Sequence, residues 1–321
     1  MPLVLERSWI GRRVSVRRDL GHGSDGRAQF GDLVGDLVDL DVETATIESR
    51  AGRVEVPLST VVLARIAPPS TRDELDLEAI LARGWRAAET SSVGGWLLRA
   101  SGGFTGRANS VLPLGPPDQP LDDALAEAHA WYSARDLPLK LQVPTNARRL
   151  LDAGLAERCW AASPDVHVMA ARLHTVMSRS SRPGPEAPPG VALELHPAPD
   201  DAWLARYRDG AGTAAAARGV LTRHERVMFA ALRREGQVLA IGRGTVDADW
   251  LGVTAVEVDP VQRGQGLASA VMRALWRWGS AEGATRSHLE VSEDNTAALA
   301  MYRRLGYWVH HDYRYRCAPS T

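Results

Sequence analysis

The stretch Val256-Glu257-Val258-Asp259-Pro260-Val261-Gln262-Arg263-Gly264-Gln265-Gly266-Leu267-Ala268-Ser269 decides the fold. Upstream of the loop, Leu251 to Val258 is rich in Val, Ala and Thr and reads as a buried strand, which Asp259-Pro260 stops. Downstream, Leu267, Val271, Leu275 and Trp278 recur at helical spacing. The unit is strand, tight glycine loop, helix. Gly264 and Gly266 let backbone N–H groups close around an anion, and the unsatisfied donors and positive dipole end of the helix favour negative charge there. Read alone, the same glycines also suit a plain strand-to-helix turn.

The chain beyond the helix separates these readings. Ser287 to Val291 is a further strand, Asp294-Asn295 opens a second helix over Thr296 to Arg304 that carries Tyr302, and Gly306 stops it. Val258-Asp259-Pro260 with Arg263-x-x-Gly266-x-Ala268 resembles the coenzyme A pyrophosphate loop of the GNAT superfamily of N-acetyltransferases. Leu289-Glu290-Val291, Asn295, Ala298, Tyr302 and Gly306-Tyr307 resemble that family's second motif. The resemblance covers roughly Val191 to Cys317. It implies an α/β (α+β) fold of mixed sheets flanked by helices, acetyl-CoA as cofactor, and acetyl transfer to a primary amine.

Composition sets wider bounds. A chain of 321 residues exceeds the usual single domain, and 45% hydrophobic with 24% charged residues supplies an ordinary globular core. The net charge of −1 exerts no global pull toward nucleic acid or membrane. No apolar run reaches membrane-spanning length, and Met1 to Arg7 is too short for a signal peptide, so a cytoplasmic location is expected. Cys159 and Cys317 lie far apart, exclude a disulfide framework, and read as two buried thiols.

In chain order, residues 1–67 hold short, closely spaced strands that predict a small β-barrel. It resembles the SH3-like domain in front of some actinobacterial GNAT proteins. Arg12, Arg13, Arg17 and Arg18 fit a solvated strand edge, with no aromatic residues interleaved for nucleic acid. After Ala67-Pro68-Pro69-Ser70, residues 71–177 read as helix (Leu75 to Ala82), strands near Trp96 to Arg99 and Ala108 to Val111, helix (Leu121 to Trp131), strand (Leu139 to Val143), helix (Ala147 to Leu155) and strand (Val166 to Ala171). Leu141-Gln142-Val143, Asn146 and Gly154-Leu155 echo Leu289-Glu290-Val291, Asn295 and Gly306-Tyr307. The segment therefore reads as a degenerate tandem copy of the C-terminal fold, in which Leu114-Gly115-Pro116-Pro117 lacks the N–H donors of a phosphate loop. An unrelated α/β domain is the competing reading. Residues 178–190, dense in Ser, Pro and Gly, form a linker, and 191–321 the catalytic domain.

The family resemblance assigns roles residue by residue. Arg263, Gly264, Gln265, Gly266, Leu267, Ala268 and Ser269 would hold the pyrophosphate. Val256, Glu257 and Val258 would lie beside the pantetheine arm, Val258 N–H would donate to the thioester carbonyl, and Asn295 would cap its helix and reach the coenzyme. Tyr302 matches the general acid, a phenol protonated at neutral pH. A lysine-like ammonium costs roughly 4 to 5 kcal/mol to deprotonate at pH 7, so a base is sought. Glu290 matches the base of some bacterial members; Glu257, which strand alternation turns away from Val256 and Val258, and a water chain are the alternatives. Trp203, Tyr207 and Arg208 are candidates for acceptor contact. Trp96, Arg99, Arg107 and Asn109 suit either an acceptor cleft or a domain interface. His224, His288, His310 and His311 share no metal-ligand spacing and read as surface or core residues. A protein lysine or N-terminal amine is the expected acceptor, against a small-molecule amine (polyamine, aminoglycoside or mycothiol-synthase-like) or a non-catalytic coenzyme-A-binding sensor.

Overall fold

The computed structural model describes residues 5–179, 187–207 and 214–319. The chain forms two compact units, 1–70 and 71–321. In the first, β1 (Arg13–His22), β2 (Ala28–Leu40), β3 (Thr44–Ser49), β4 (Gly52–Pro57) and β5 (Val61–Ile66) make an antiparallel sheet in the order β4-β3-β2-β1-β5. Alternation sends Val14, Val16, Leu37, Ile47 and Val56 into one core. Among the described residues no ladder joins β4 to β5, so the sheet is open where strand spacing predicts a closed barrel. Strand length is the reason: β2 has 13 residues against 6 each in β3 and β4, and β5 pairs only with Val14 to Arg18 of β1. Of the basic residues here, Arg17 is tied to Asp32 at 2.9 Å on the exposed surface.

The second unit begins with α1 (Thr71–Gly84), β6 (Glu89–Val93), β7 (Trp96–Ala100), β8 (Leu112–Pro113), α2 (Leu121–Ser133), β9 (Lys140–Pro144), α3 (Arg149–Glu157), β10 (Ala161–Ala162), β11 (Val166–Arg172) and α4 (Leu173–Arg179). It continues with β12 (Ala192–His196), α5 (Asp201–Arg206), α6 (Ala214–Leu221), β13 (Val227–Arg234), β14 (Gln237–Asp247), β15 (Trp250–Val258), α7 (Leu267–Ala281), β16 (Arg286–Ser292), α8 (Thr296–Leu305) and β17 (Trp308–Cys317). The strand expected at Ala108 to Val111 starts later, with a bridge of Val111 to Leu141 leading into β8, and residues 108–110 are not part of it. That stretch lies in a turn that Asn109 organises, accepting at Oδ1 from Ser101 N (2.7 Å) and Gly103 N (2.9 Å) and donating from Nδ2 to the Phe104 and Thr105 carbonyls (2.8 Å each). The linker expected at 178–190 begins inside α4, and its residues 180–186 lie outside the described residues.

The segments on either side of that linker share one nine-stranded sheet, ordered β10-β17-β11-β16-β15-β14-β13-β12 with β9 also on β17. Strand β11 lies antiparallel between β16 and β17, so a strand of residues 71–177 sits inside the sheet of residues 191–321. A buried polar chain crosses the same seam: Arg99 donates to Gln142 (2.9 Å), Gln142 to Glu78 (2.8 Å), and the other Glu78 oxygen faces His311 Nε2 (3.1 Å). Helices α4, α7 and α8 cover one face of the sheet through Val176, Leu267, Val271, Leu275, Leu299 and Tyr302. On the other face α1 packs Leu77 and Leu81 against Val168, Ala170, Trp250 and Tyr313. Helix α7 approaches β14 closely because Gly242 has no side chain; a Cβ there would meet Val271 Cγ1 at 2.4 Å.

Both cysteines are exposed, which corrects the expected burial. Cys159 sits at φ 60° in the turn after α3, and Cys317 ends β17.

Candidate active site

Two features of the sheet create the site. Strands β15 and β16 are parallel and paired only from Trp250/Arg286 to Gly252/His288, although β15 continues to Val258 and β16 to Ser292. The ladder therefore stops partway and leaves a split. Within it, β15 shifts register against β14 between Ile241 and Arg243, and Ala255 takes φ 53°, a left-handed conformation costing about 1 to 3 kcal/mol in a non-glycine residue. Past the bulge Glu257 and Val258 pair in regular register with Ile241 and Ala240. Val256, Glu257 and Val258 all line a cleft, and the two valines also pack against the core under α7.

That cleft has a volume of about 730 Å³. Arg263, Gly264, Gly266, Leu267, Ala268, Ser269 and Asn295 line it together with Val256, Glu257 and Val258. Gly264 and Gly266 sit at φ 79° and 78°, and a Cβ on either would meet nothing within 4 Å, so the space beside the loop is empty. Gly266 caps α7 without a side-chain bond, leaving the first-turn N–H groups to an external acceptor. Asp259 anchors the loop: it caps Val261 N at 3.0 Å and pairs with Arg206 at 2.7 Å. Asn295 Oδ1 accepts from Ala298 N at 3.1 Å. Gln265 turns toward Gln262 (3.0 Å) and is not a lining residue. A volume of this size, glycine-opened N–H donors and the flanking Arg206, Arg263 and Arg304 fit a pyrophosphate with an extended arm.

Sequence reading missed Arg206, Gln262, Ala297, Ala298, Met301 and Arg304 as lining residues. The signal was present for α8, since 297, 298, 301 and 304 share one face of a helix whose start was legible.

The two catalytic candidates lie outside this lining set. Tyr302, on the inner face of α8, is buried with Leu299 and packs edge-on against Tyr307 at 6.0 Å. Burial pushes its phenol up to about 12, so it stays protonated through the physiological range. Glu290 lies two residues past the last β15–β16 pair, with only 7% of its side chain exposed. Tyr313 Oη donates to one of its oxygens at 2.8 Å, and Arg107 forms an ion pair with the other. The Arg107 guanidinium also lies over the Trp85 ring, 4.3 Å from its centroid. Burial opposes the Arg107 charge, and Glu290 with nearby tyrosines outweighs it, leaving its pKa raised.

The other candidates scatter. Trp203 and Tyr207 are buried with Phe104 and Phe229, while Arg208 lies outside the described residues. Trp96 and Arg99 are buried inside the 71–177 segment. His288 is buried, with Nδ1 lacking a partner, and burial lowers its pKa to about 4. Burial and His311 lower His310 to about 3. Among the described residues no group of His, Cys, Asp or Glu is placed to hold a metal. Nor is any described helix long and apolar enough to cross a membrane. A second cleft of about 630 Å³ in the 71–177 segment is lined by Gly115, Pro116, Pro117 and Arg148, on the loop poor in N–H donors.

Known proteins are similar to this chain in sequence and in fold. The family model described as "Probable histone acetyltransferase Rv0428c C-terminal" matches residues 71–316. The chain is 32% identical over 327 residues to the "Probable histone acetyltransferase Rv0428c" of Mycobacterium tuberculosis, with 98% of each covered. Among solved structures it is similar in fold to a GCN5-related N-acetyltransferase from Kribbella flavida (19% identity, TM-score 0.59, 77% of this chain and 96% of that one). It is also similar in fold to a tandem GNAT protein from the clavulanic acid biosynthesis pathway (13% identity, TM-score 0.54, 80% and 90%).

Proposed function

The chain belongs to the family of the Rv0428c C-terminal region, GNAT-type acetyltransferases that use acetyl-CoA, and from this premise we propose that it acetylates a primary amine of a protein, a lysine side chain or an N-terminal amine. Bound acetyl-CoA supplies a thioester: the C–S bond breaks as the C–N bond forms, and of the two protons leaving the ammonium one ends on sulfur and one in solvent.

The observation that carries the reading is the cleft beside the split strand. Backbone N–H groups of Gly264 to Ser269 with Arg263 bind the pyrophosphate. The edge of β15 past Gly252, unpaired with β16, offers backbone bonds to the arm and, at Val258 N–H, a donor to the carbonyl oxygen. Asn295 caps α8 and reaches the coenzyme arm. Tyr302 Oη holds the proton that the sulfur takes up, and Glu290 receives one from the attacking ammonium. Support for a protein acceptor comes from the name of the 32% identical relative, a probable histone acetyltransferase, and from the separate β-sheet unit at residues 1–70. We further propose that residues 71–177 and 191–321 are two copies of one fold, of which the second binds the cofactor.

Calorimetry tests the donor site. Acetyl-CoA should bind the wild type, while Gly266→Glu, adding a carboxylate and a strained φ at the cradle, should abolish binding. Undiminished binding to the variant would place the cofactor elsewhere. Thiol release with lysine peptides against polyamines and aminosugars then tests the acceptor.

A further inference from the structure

We propose that Arg107, contributed by the 71–177 segment, is the positioning residue that holds the Glu290 carboxylate in place beside the β15–β16 split. The inference rests on the assignment of Glu290 as proton acceptor and adds what makes that role physically possible. At 7% side-chain exposure, a carboxylate left without a charged partner is penalised by desolvation. A carboxylate that shifts toward solvent to escape that cost is no longer placed to accept a proton from an ammonium. The cation that prevents this comes from the other side of the linker.

The geometry shows construction around that contact. Arg107 pairs with one Glu290 oxygen while Tyr313 Oη donates to the other, so the carboxylate plane is set by one group from each segment. Arg107 is itself braced by the Trp85 ring, and Trp85 Nε1 donates to Thr105 Oγ1 at 3.0 Å. The turn carrying Arg107 is locked by the four bonds of Asn109. A cation braced in this way gives the partner segment, which lacks a phosphate loop, a role beside Glu290. The partner completes the acceptor side.

Arg107→Gln and Arg107→Lys are to be compared with two acceptors. A lysine peptide arrives as an ammonium and needs the base, whereas hydroxylamine is already uncharged at pH 7 and does not. In Arg107→Gln the ratio of lysine-peptide to hydroxylamine rates at pH 7 should fall at least tenfold. Arg107→Lys, which restores the charge, should recover part of the ratio, and acetyl-CoA affinity by calorimetry reports that both variants are folded. An unchanged ratio overturns the proposal. A wild type that acetylates hydroxylamine but no lysine peptide overturns the protein-acceptor reading, and this proposal with it.

Discussion

Tyr302 and His288 are both buried polar groups, yet they lead to different predictions. Tyr302 sits in the α8 core with its phenol pushed up to about 12, so Tyr302→Phe removes a proton donor without opening a cavity. Turnover should drop about 100-fold or more with acetyl-CoA affinity unchanged; if turnover in steady-state assays is unaffected, Tyr302 is only a packing residue. His288 shows the opposite polarity. Its imidazole is neutral when folded, burial holding it near 4, whereas an unfolded histidine ionises near 6.5. The unfolded chain thus binds the extra proton between those values, and stability falls as pH drops through that window. In urea titrations, His288→Gln should remove about 2 kcal/mol of the stability difference between pH 7 and pH 5.

At the scale of elements, the site depends on how closely α7 lies on β14. Gly242 permits the approach, and Gly242→Ala would push Cβ to 2.4 Å from Val271 Cγ1. The expected cost is about 1 to 3 kcal/mol in a denaturant midpoint, with weakened acetyl-CoA binding because α7 carries the cradle. Helix and strand identities around the cradle were legible because hydrophobic period and stop signals agree there. The register of β15 was not. Leu251 to Val258 reads as a regular strand, and nothing in Ala255 announces the bulge against β14.

Across the whole molecule, β11 of residues 71–177 pairs with strands of residues 191–321. It supplies the partner of β16 over Val166–Arg172 and of β17 beside it, so a fragment of residues 191–321 would expose two unpaired strand edges. Thermal melts followed by circular dichroism should show no cooperative transition for that fragment and a sharp one for residues 71–321; a cooperative melt of the shorter piece would show that β11 is dispensable. Sequence by itself determined the local units: the glycine loop between strand and helix, the Asn295 cap and the Gly306 stop, each encoded within a few residues. Only the tertiary structure decided what surrounds Glu290. Glu290, Tyr313 and Arg107 are up to 206 positions apart (313 against 107), and their contact arises from strand order and a shared sheet. Periodicity carries information over one helix turn or one strand pleat, whereas the pairing of β11 with β16 and β17 is a long-range choice that no local pattern encodes.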